Sequence, residues 1–119
     1  LIMYEYEITV LRVVDGDTID AQVDLGFKVH HNIRIRLYGI NAPESRTRDL
    51  EEKKRGKAAT ARVEELIQSA DKIILKSHGV GKFGRCLGEL NLSHKDGLTM
   101  INLNNKLIEV MLLRYIIPL

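Results

Sequence analysis

The residues equipped for chemistry fall in short stretches. Asp15-Gly16-Asp17-Thr18 sets two carboxylates around a glycine, where one β-rich segment gives way to the next. Alone this is an ordinary solvated turn. It is not an EF-hand calcium loop, because glycine sits between the acids and no Glu follows at the required offset. Arg36 and Asn41-Ala42-Pro43-Glu44 form a second group. Pro43 stiffens the chain and drives Ala42 into extended geometry. By themselves Glu44 reads as an exposed loop acid and Arg36 as a surface charge. A third group is Gly81-Lys82-Phe83-Gly84-Arg85. Its bland reading is a hairpin turn. Its functional reading is a guanidinium that grips phosphate beside an aromatic that stacks on a base. Arg46, Arg48, Lys53, Lys54, Arg55 and Lys57, diluted by Asp49, Glu51 and Glu52, read as a solvated loop. Near a phosphate site they would add sequence-blind, salt-sensitive attraction.

These groups need elements to position them. Residues 4–14 are β-rich, with Tyr6, Ile8 and Val10 sharing one parity. Thr18–Asp24 alternates, with Ile19, Ala21 and Val23 on one side. A third strand at about 31–40 sets Ile33, Ile35 and Leu37 inward and Arg34, Arg36 and Tyr38 outward. Three strands with short turns predict an antiparallel meander. A charged loop follows from Asn41 to about Gly56. The pattern predicts a helix from near Lys57, with Ala58, Ala61, Val63, Leu66, Ile67 and Ala70 as its apolar stripe. Lys72–Lys76 and Arg85–Leu92 read as strands around a Gly-rich hairpin at 77–84. Asp96-Gly97 reads as a turn, and Ile101–Val110 as a second helix. The order βββ-α-ββ-α suggests a small closed barrel in one domain spanning residues 1–119.

Composition bounds the alternatives. The 119 residues are 45% hydrophobic and 29% charged, a soluble globular balance sufficient for one core. No run is long and apolar enough to span a bilayer, so no membrane partner is expected. The first residues lack a basic segment followed by an apolar one, which reads as no signal peptide. That leaves a cytoplasmic protein or an already processed secreted one. The formal net charge of +2 excludes a strongly basic nucleic-acid coat but permits a local basic face. Cys86 is the one cysteine and reads as a half-buried strand residue. His30, His31, His78, His94 and Cys86 lack zinc-ligand spacing, and His31-Asn32 is not a His-Asn-His nuclease signature.

Taken together and in this order, the stretches resemble the staphylococcal nuclease (thermonuclease) family. They are Val14-Asp15-Gly16-Asp17-Thr18, Arg36-Leu37-Tyr38-Gly39-Ile40-Asn41-Ala42-Pro43-Glu44 and Gly81-Lys82-Phe83-Gly84-Arg85. Weaker similarity at 57–70 and at Leu103-Asn104…Leu107 extends the likeness over most of residues 5–108. It is a likeness to short members associated with phages and plasmids rather than to the secreted prototype. The resemblance implies an α+β, mainly β fold: a five-stranded OB-fold β-barrel with two or three packed helices, consistent with the strand count.

It also implies a Ca²⁺-dependent phosphodiesterase that hydrolyses DNA and/or RNA with low sequence specificity. Asp17 would ligate the metal, with Asp15 as a supporting acid. Asn41 stands where the prototype has an aspartate ligand, and the backbone carbonyl at Ala42 matches another ligand. Glu44 matches the general base, and Arg36 and Arg85 match the arginines on the scissile phosphate. Phe83 flanks the nucleotide, with Lys82 beside it on the substrate. The chemistry is coherent, since hydrolysis of an anionic diester needs positive charge where negative charge grows. The departure at Asn41 removes one negative charge and predicts weaker Ca²⁺ binding. The alternative reading is a non-catalytic OB-fold nucleic-acid-binding module. The presence of Asp17, Arg36, Glu44 and Arg85 together favours the enzyme. Glu109–Leu119 is an atypical apolar ending that could promote self-association.

Overall fold

Period-two patterning makes the first three strands. They are β1 (Glu5–Asp15), β2 (Thr18–Asp24) and β3 (His30–Leu37), paired antiparallel in a meander. The inward residues Ile19, Ala21, Val23, Ile35 and Leu37 are buried, as their parity predicts. The structure is a computed structural model that describes residues 4–94 and 99–116, the side chains of residue 82 and of 110 onward excepted.

β1 carries two register shifts, between Val10 and Arg12 and between Val13 and Asp15. Such bulges bend a strand and increase its twist. β1 can therefore pair with β2 along residues 8–15 and with β4 (Lys72–Val80) along residues 5–8. β4 pairs antiparallel with β5 (Cys86–Ser93), and Ile35–Leu37 of β3 pair parallel with Cys86–Gly88 of β5. That last pairing closes a five-stranded barrel, and a short β6 (Met100–Asn102) adds to the edge of β5. With α1 (Leu50–Gln68) and α2 (Leu103–Ile116), the chain is an α+β, mainly β protein of OB-fold type.

The core is the barrel interior. Ile19, Ile35, Leu75, Leu90 and Leu92 fill it, Val63 and Leu66 of α1 seal one side, and Leu103 and Leu107 of α2 seal another. Each such side chain contributes roughly 1.5–3 kcal/mol of burial. Asn104 is the polar exception, 1% exposed. Its Oδ1 accepts from Leu90 N–H at 3.1 Å, and its Nδ2 donates to the carbonyls of Tyr38 at 2.9 Å and Gly88 at 3.0 Å. One amide thus ties α2 to β5 and to the turn after β3. Among the described residues no helix is long and apolar enough to cross a membrane.

Three boundaries differ from the sequence reading. α1 starts at Leu50 rather than near Lys57, because Asp49 caps it by accepting from Glu51 N–H and Glu52 N–H. Its first two turns are mostly solvated, so no apolar stripe announces them, and Ala61 faces solvent rather than the core. β4 runs on to Val80 through the polar Ser77-His78-Gly79, with a bulge where Gly79 has a positive φ. Residues 101–102 are strand, not helix, because Asn102 caps α2 by accepting from Asn105 N–H at 3.0 Å. The turn expected at Asp96-Gly97 lies outside the described residues.

Candidate active site

The corner between β1 and β2 presents Asp17, which is buried. Its Oδ1 accepts from Thr18 Oγ1 at 2.8 Å, and its Oδ2 accepts from Ala42 N–H at 2.9 Å. Asp15, at the end of β1, accepts a hydrogen bond from Ser45 Oγ. Two carboxylates of one turn are thereby tied to the loop after β3, on either side of Glu44. Gly16 lies between them for a steric reason. A Cβ there would meet Ala59 Cβ of α1 at 2.8 Å and Ala42 Cβ at 2.9 Å.

Arg36 lies on the outward parity of β3, partly buried. Its Nη1 donates to the carbonyl oxygens of Ile40 at 2.5 Å and Leu37 at 3.1 Å. Its Nη2 is 3.5 Å from Asp17 Oδ2. The guanidinium therefore shapes the loop that delivers Asn41, Ala42 and Glu44, and also faces Asp17. α1 holds the same loop from behind. A Cβ at Gly56 would meet the backbone carbon and oxygen of Glu44 at 2.4 Å, so only glycine lets the helix approach this closely. Glu44 itself is exposed, as is Asn41.

Across the cleft, the turn between β4 and β5 holds Lys82–Gly84, with Phe83 at a left-handed φ of 62° and 91% exposed. Arg85 places its guanidinium carbon 5.6 Å from the Phe83 ring centroid. Closure of the barrel between β3 and β5 brings the Arg36 and Arg85 positions to one wall. Asp15, Asp17, Thr18, Arg36, Asn41, Ala42, Glu44 and Arg85 line a single cleft of about 200 Å³. Of the residues singled out from sequence, Phe83 lies beyond its wall, on the turn that also carries Lys82.

The oxygens available to a cation there are the Asp17 carboxylate, the Asn41 amide oxygen and the Ala42 carbonyl, with Asp15 and Glu44 nearby. An all-oxygen set suits a hard ion such as Ca²⁺ and does not suit zinc. Among the described residues no group of three His, Cys, Asp or Glu gathers to hold a metal. A site here would thus draw on amide, carbonyl and water oxygens as well as carboxylate.

Thr18 and Ser45 are the residues that sequence reasoning passed over. Thr18 lay inside a recognised motif without a role, and Ser45 gave no signal beyond its place after Glu44. A second side-chain pair joins β4 to β5. His78 Nε2 meets Glu89 Oε2 at 2.5 Å, Tyr38 stacks on the His78 ring at 4.2 Å between centroids, and Asn102 Nδ2 donates to Glu89 Oε1 at 3.2 Å. The His78 hydrogen bond holds the Glu89 carboxyl below its ordinary value. On β2 and β3, the Arg34 hydrogen bond at 2.8 Å does the same for Asp20.

No curated protein matches the chain. The family model of the staphylococcal nuclease homologue matches residues 34–114, which takes in Arg36, Asn41, Ala42, Glu44, Lys82, Phe83 and Arg85. The match extends past residue 109 into the apolar ending, and stops short of Asp15 and Asp17 at its other end. The fold returns those two acids to the matched residues by way of Ser45 and the Ala42 amide. With its closed OB-type barrel and this match over most of its length, the chain belongs to the staphylococcal nuclease homologue family.

Proposed function

We propose that this protein is a Ca²⁺-dependent phosphodiesterase that hydrolyses DNA and/or RNA with low sequence specificity. One observation carries the reading: acids, guanidiniums and an amide from four separate stretches line one cleft of about 200 Å³. Surface charges with no common task would have no reason to converge.

In this reading Asp17, Asn41 and the Ala42 carbonyl would hold the cation. When bound, the ion supplies positive charge where the attacked phosphate gains negative charge. Arg36 and Arg85 donate hydrogen bonds to the non-bridging phosphate oxygens. Their planar forks fit phosphate and keep their charge at every working pH. Glu44 accepts a proton from a water molecule as its oxygen bonds to phosphorus. The opposite ester bond breaks, and the leaving oxygen departs with the bonding pair and is protonated from solvent. The exposure of Glu44 suits a base that must meet incoming water. Phe83 and Lys82 flank the nucleotide. The basic run that includes Arg46, Arg48 and Lys54 adds attraction to the strand and makes binding fall with salt.

The test is plasmid nicking with Ca²⁺, with chelator, and with Glu44→Gln. The expected result is Ca²⁺-dependent nicking that Glu44→Gln reduces by at least about a hundredfold, the order a positioned general base supplies. Nicking that survives in the variant would overturn the base assignment. Binding without cleavage in the unsubstituted protein would identify a nucleic-acid-binding barrel instead.

A further inference from the structure

Phe27 sits at the tip of the β2–β3 hairpin, fully exposed, with its backbone at φ 54° and the next residue, Lys28, at φ 62°. Left-handed backbone is costly for any residue with a Cβ. A phenylalanine held there gains no burial in return. The same combination recurs at Phe83 on the β4–β5 turn, left-handed and bare. Two hairpin tips thus each display an aromatic ring beside a lysine in sequence.

A largely apolar depression of about 260 Å³ opens at this end of the barrel, lined by Tyr6, Val23, Ile33 and Leu75 of the strands. Leu25 and His31 of the β2–β3 hairpin and Val80 and Gly84 beside the β4–β5 turn also line it, so both hairpins border it. Gly81 and Arg85, the chain neighbours of Val80 and Gly84, line a second depression of about 500 Å³, which shares Arg36 and Asn41 with the candidate active cleft. The depressions follow one another around the β4–β5 turn, from the cleft to the Phe27 hairpin. The hairpin carries Lys28, His30 and His31, all exposed. Its nearby acid, Asp24, is engaged in the turn by accepting from Gly26 N–H at 2.8 Å.

We infer that the β2–β3 hairpin is a second strand-binding segment, with Phe27 as its base-stacking platform, for single-stranded nucleic acid flanking the scissile position. The inference rests on the nuclease reading above and extends its footprint. Flat apolar rings interleaved with cations match a strand of bases on an anionic backbone. OB-folds engage about 4–16 nucleotides, so a strand seated at the cleft reaches well beyond it.

The test compares binding of labelled oligothymidylates of about three and about twelve nucleotides, within and beyond the reach of one such segment. Anisotropy is read in chelator, so that no cleavage intervenes. Phe27→Ala is expected to weaken the longer oligomer about fivefold, the low end for one base–aromatic stack. It should narrow the preference for long over short, and Phe27→Trp should restore both. Equal affinity of all three proteins for the longer oligomer would overturn the inference. So would a dimer in sedimentation that Phe27→Ala dissolves, since a second copy would then be the occupant. Plasmid nicking by the unsubstituted protein runs in parallel. If it nicks while Phe27→Ala binds normally, only this inference falls; if it neither nicks nor binds, the nuclease reading falls with it.

Discussion

The backbone amide of Ala42 donates to Oδ2 of Asp17 at 2.9 Å, joining positions 25 residues apart. The bond fixes the carboxylate against the loop that presents Asn41 and Glu44. Thr18 Oγ1 completes the arrangement from the other side, on Oδ1. Such outer contacts orient a ligand, and losing one typically costs ten- to a hundredfold in metal affinity. Thr18→Val keeps the shape and removes the donor. It is expected to weaken Ca²⁺ binding about tenfold with little loss of fold, measured by titration calorimetry beside a thermal melt. Unchanged affinity would detach Asp17 from the metal.

Asn41 can offer an amide oxygen but no charge. Calcium affinity follows the charge count of the ligands, so Asn41→Asp should tighten binding, by roughly tenfold. Calorimetry showing no gain would count against Asn41 as a ligand.

Gly56 sets helix propensity against contact. Alanine would favour the helix by about 1 kcal/mol. Its Cβ would stand 2.4 Å from the backbone of Glu44, and backbone cannot swing aside as a side-chain tip can. The contact wins, and the loop must shift. Displacement of about 1 Å can cost a hundredfold in rate. Gly56→Ala should therefore depress kcat at least tenfold, with KM moving less. Steady-state kinetics giving an unaltered kcat would mean that α1 does not position Glu44.

Asn104 satisfies three backbone groups with one amide. Asn104→Leu would strand the buried Leu90 N–H, at about 1–3 kcal/mol, and free the part-buried Tyr38 carbonyl at a smaller cost. Urea unfolding should show a loss of about 2–4 kcal/mol. A change under 1 kcal/mol would show that water reaches these groups.

Glu89 links stability to pH. Its carboxyl is held below the ordinary 4.5 by the His78 hydrogen bond, so the folded state favours the ionised form. The resulting stability is fully present above pH 4.5 and is lost as pH falls through the lower folded value. Glu89→Gln should cost about 1 kcal/mol near neutrality, and the gap should close in strong acid. Denaturant midpoints across pH test this; a constant gap would rule out the linkage.

The barrel was legible wherever burial alternates. Ile19, Ala21 and Val23 declared β2 because their neighbours face water, and Ile35 and Leu37 did the same for β3. Where polar residues occupy regular structure the pattern fell silent, as in the first turns of α1 and at Ser77-His78-Gly79. The capping residues Asp49 and Asn102 carried the missing information, but an Asp or Asn before a charged run is common in loops as well. The cleft residues were visible by type and order. Their supports were not, because Thr18, Ser45 and Asn104 act through contacts between distant parts of the chain. Gly16 and Gly56 announced only flexibility, and their neighbours alone reveal them as points of close approach.

The parallel seam between β3 and β5 also orders events in time. A chain emerging from synthesis exposes Asp17, Arg36 and Glu44 well before Arg85, and the seam cannot form until β5 is out. Until then the cleft lacks a wall, and the arginine after the β4–β5 turn has no fixed place beside its counterpart. Whatever the cleft does is therefore withheld from a half-made molecule.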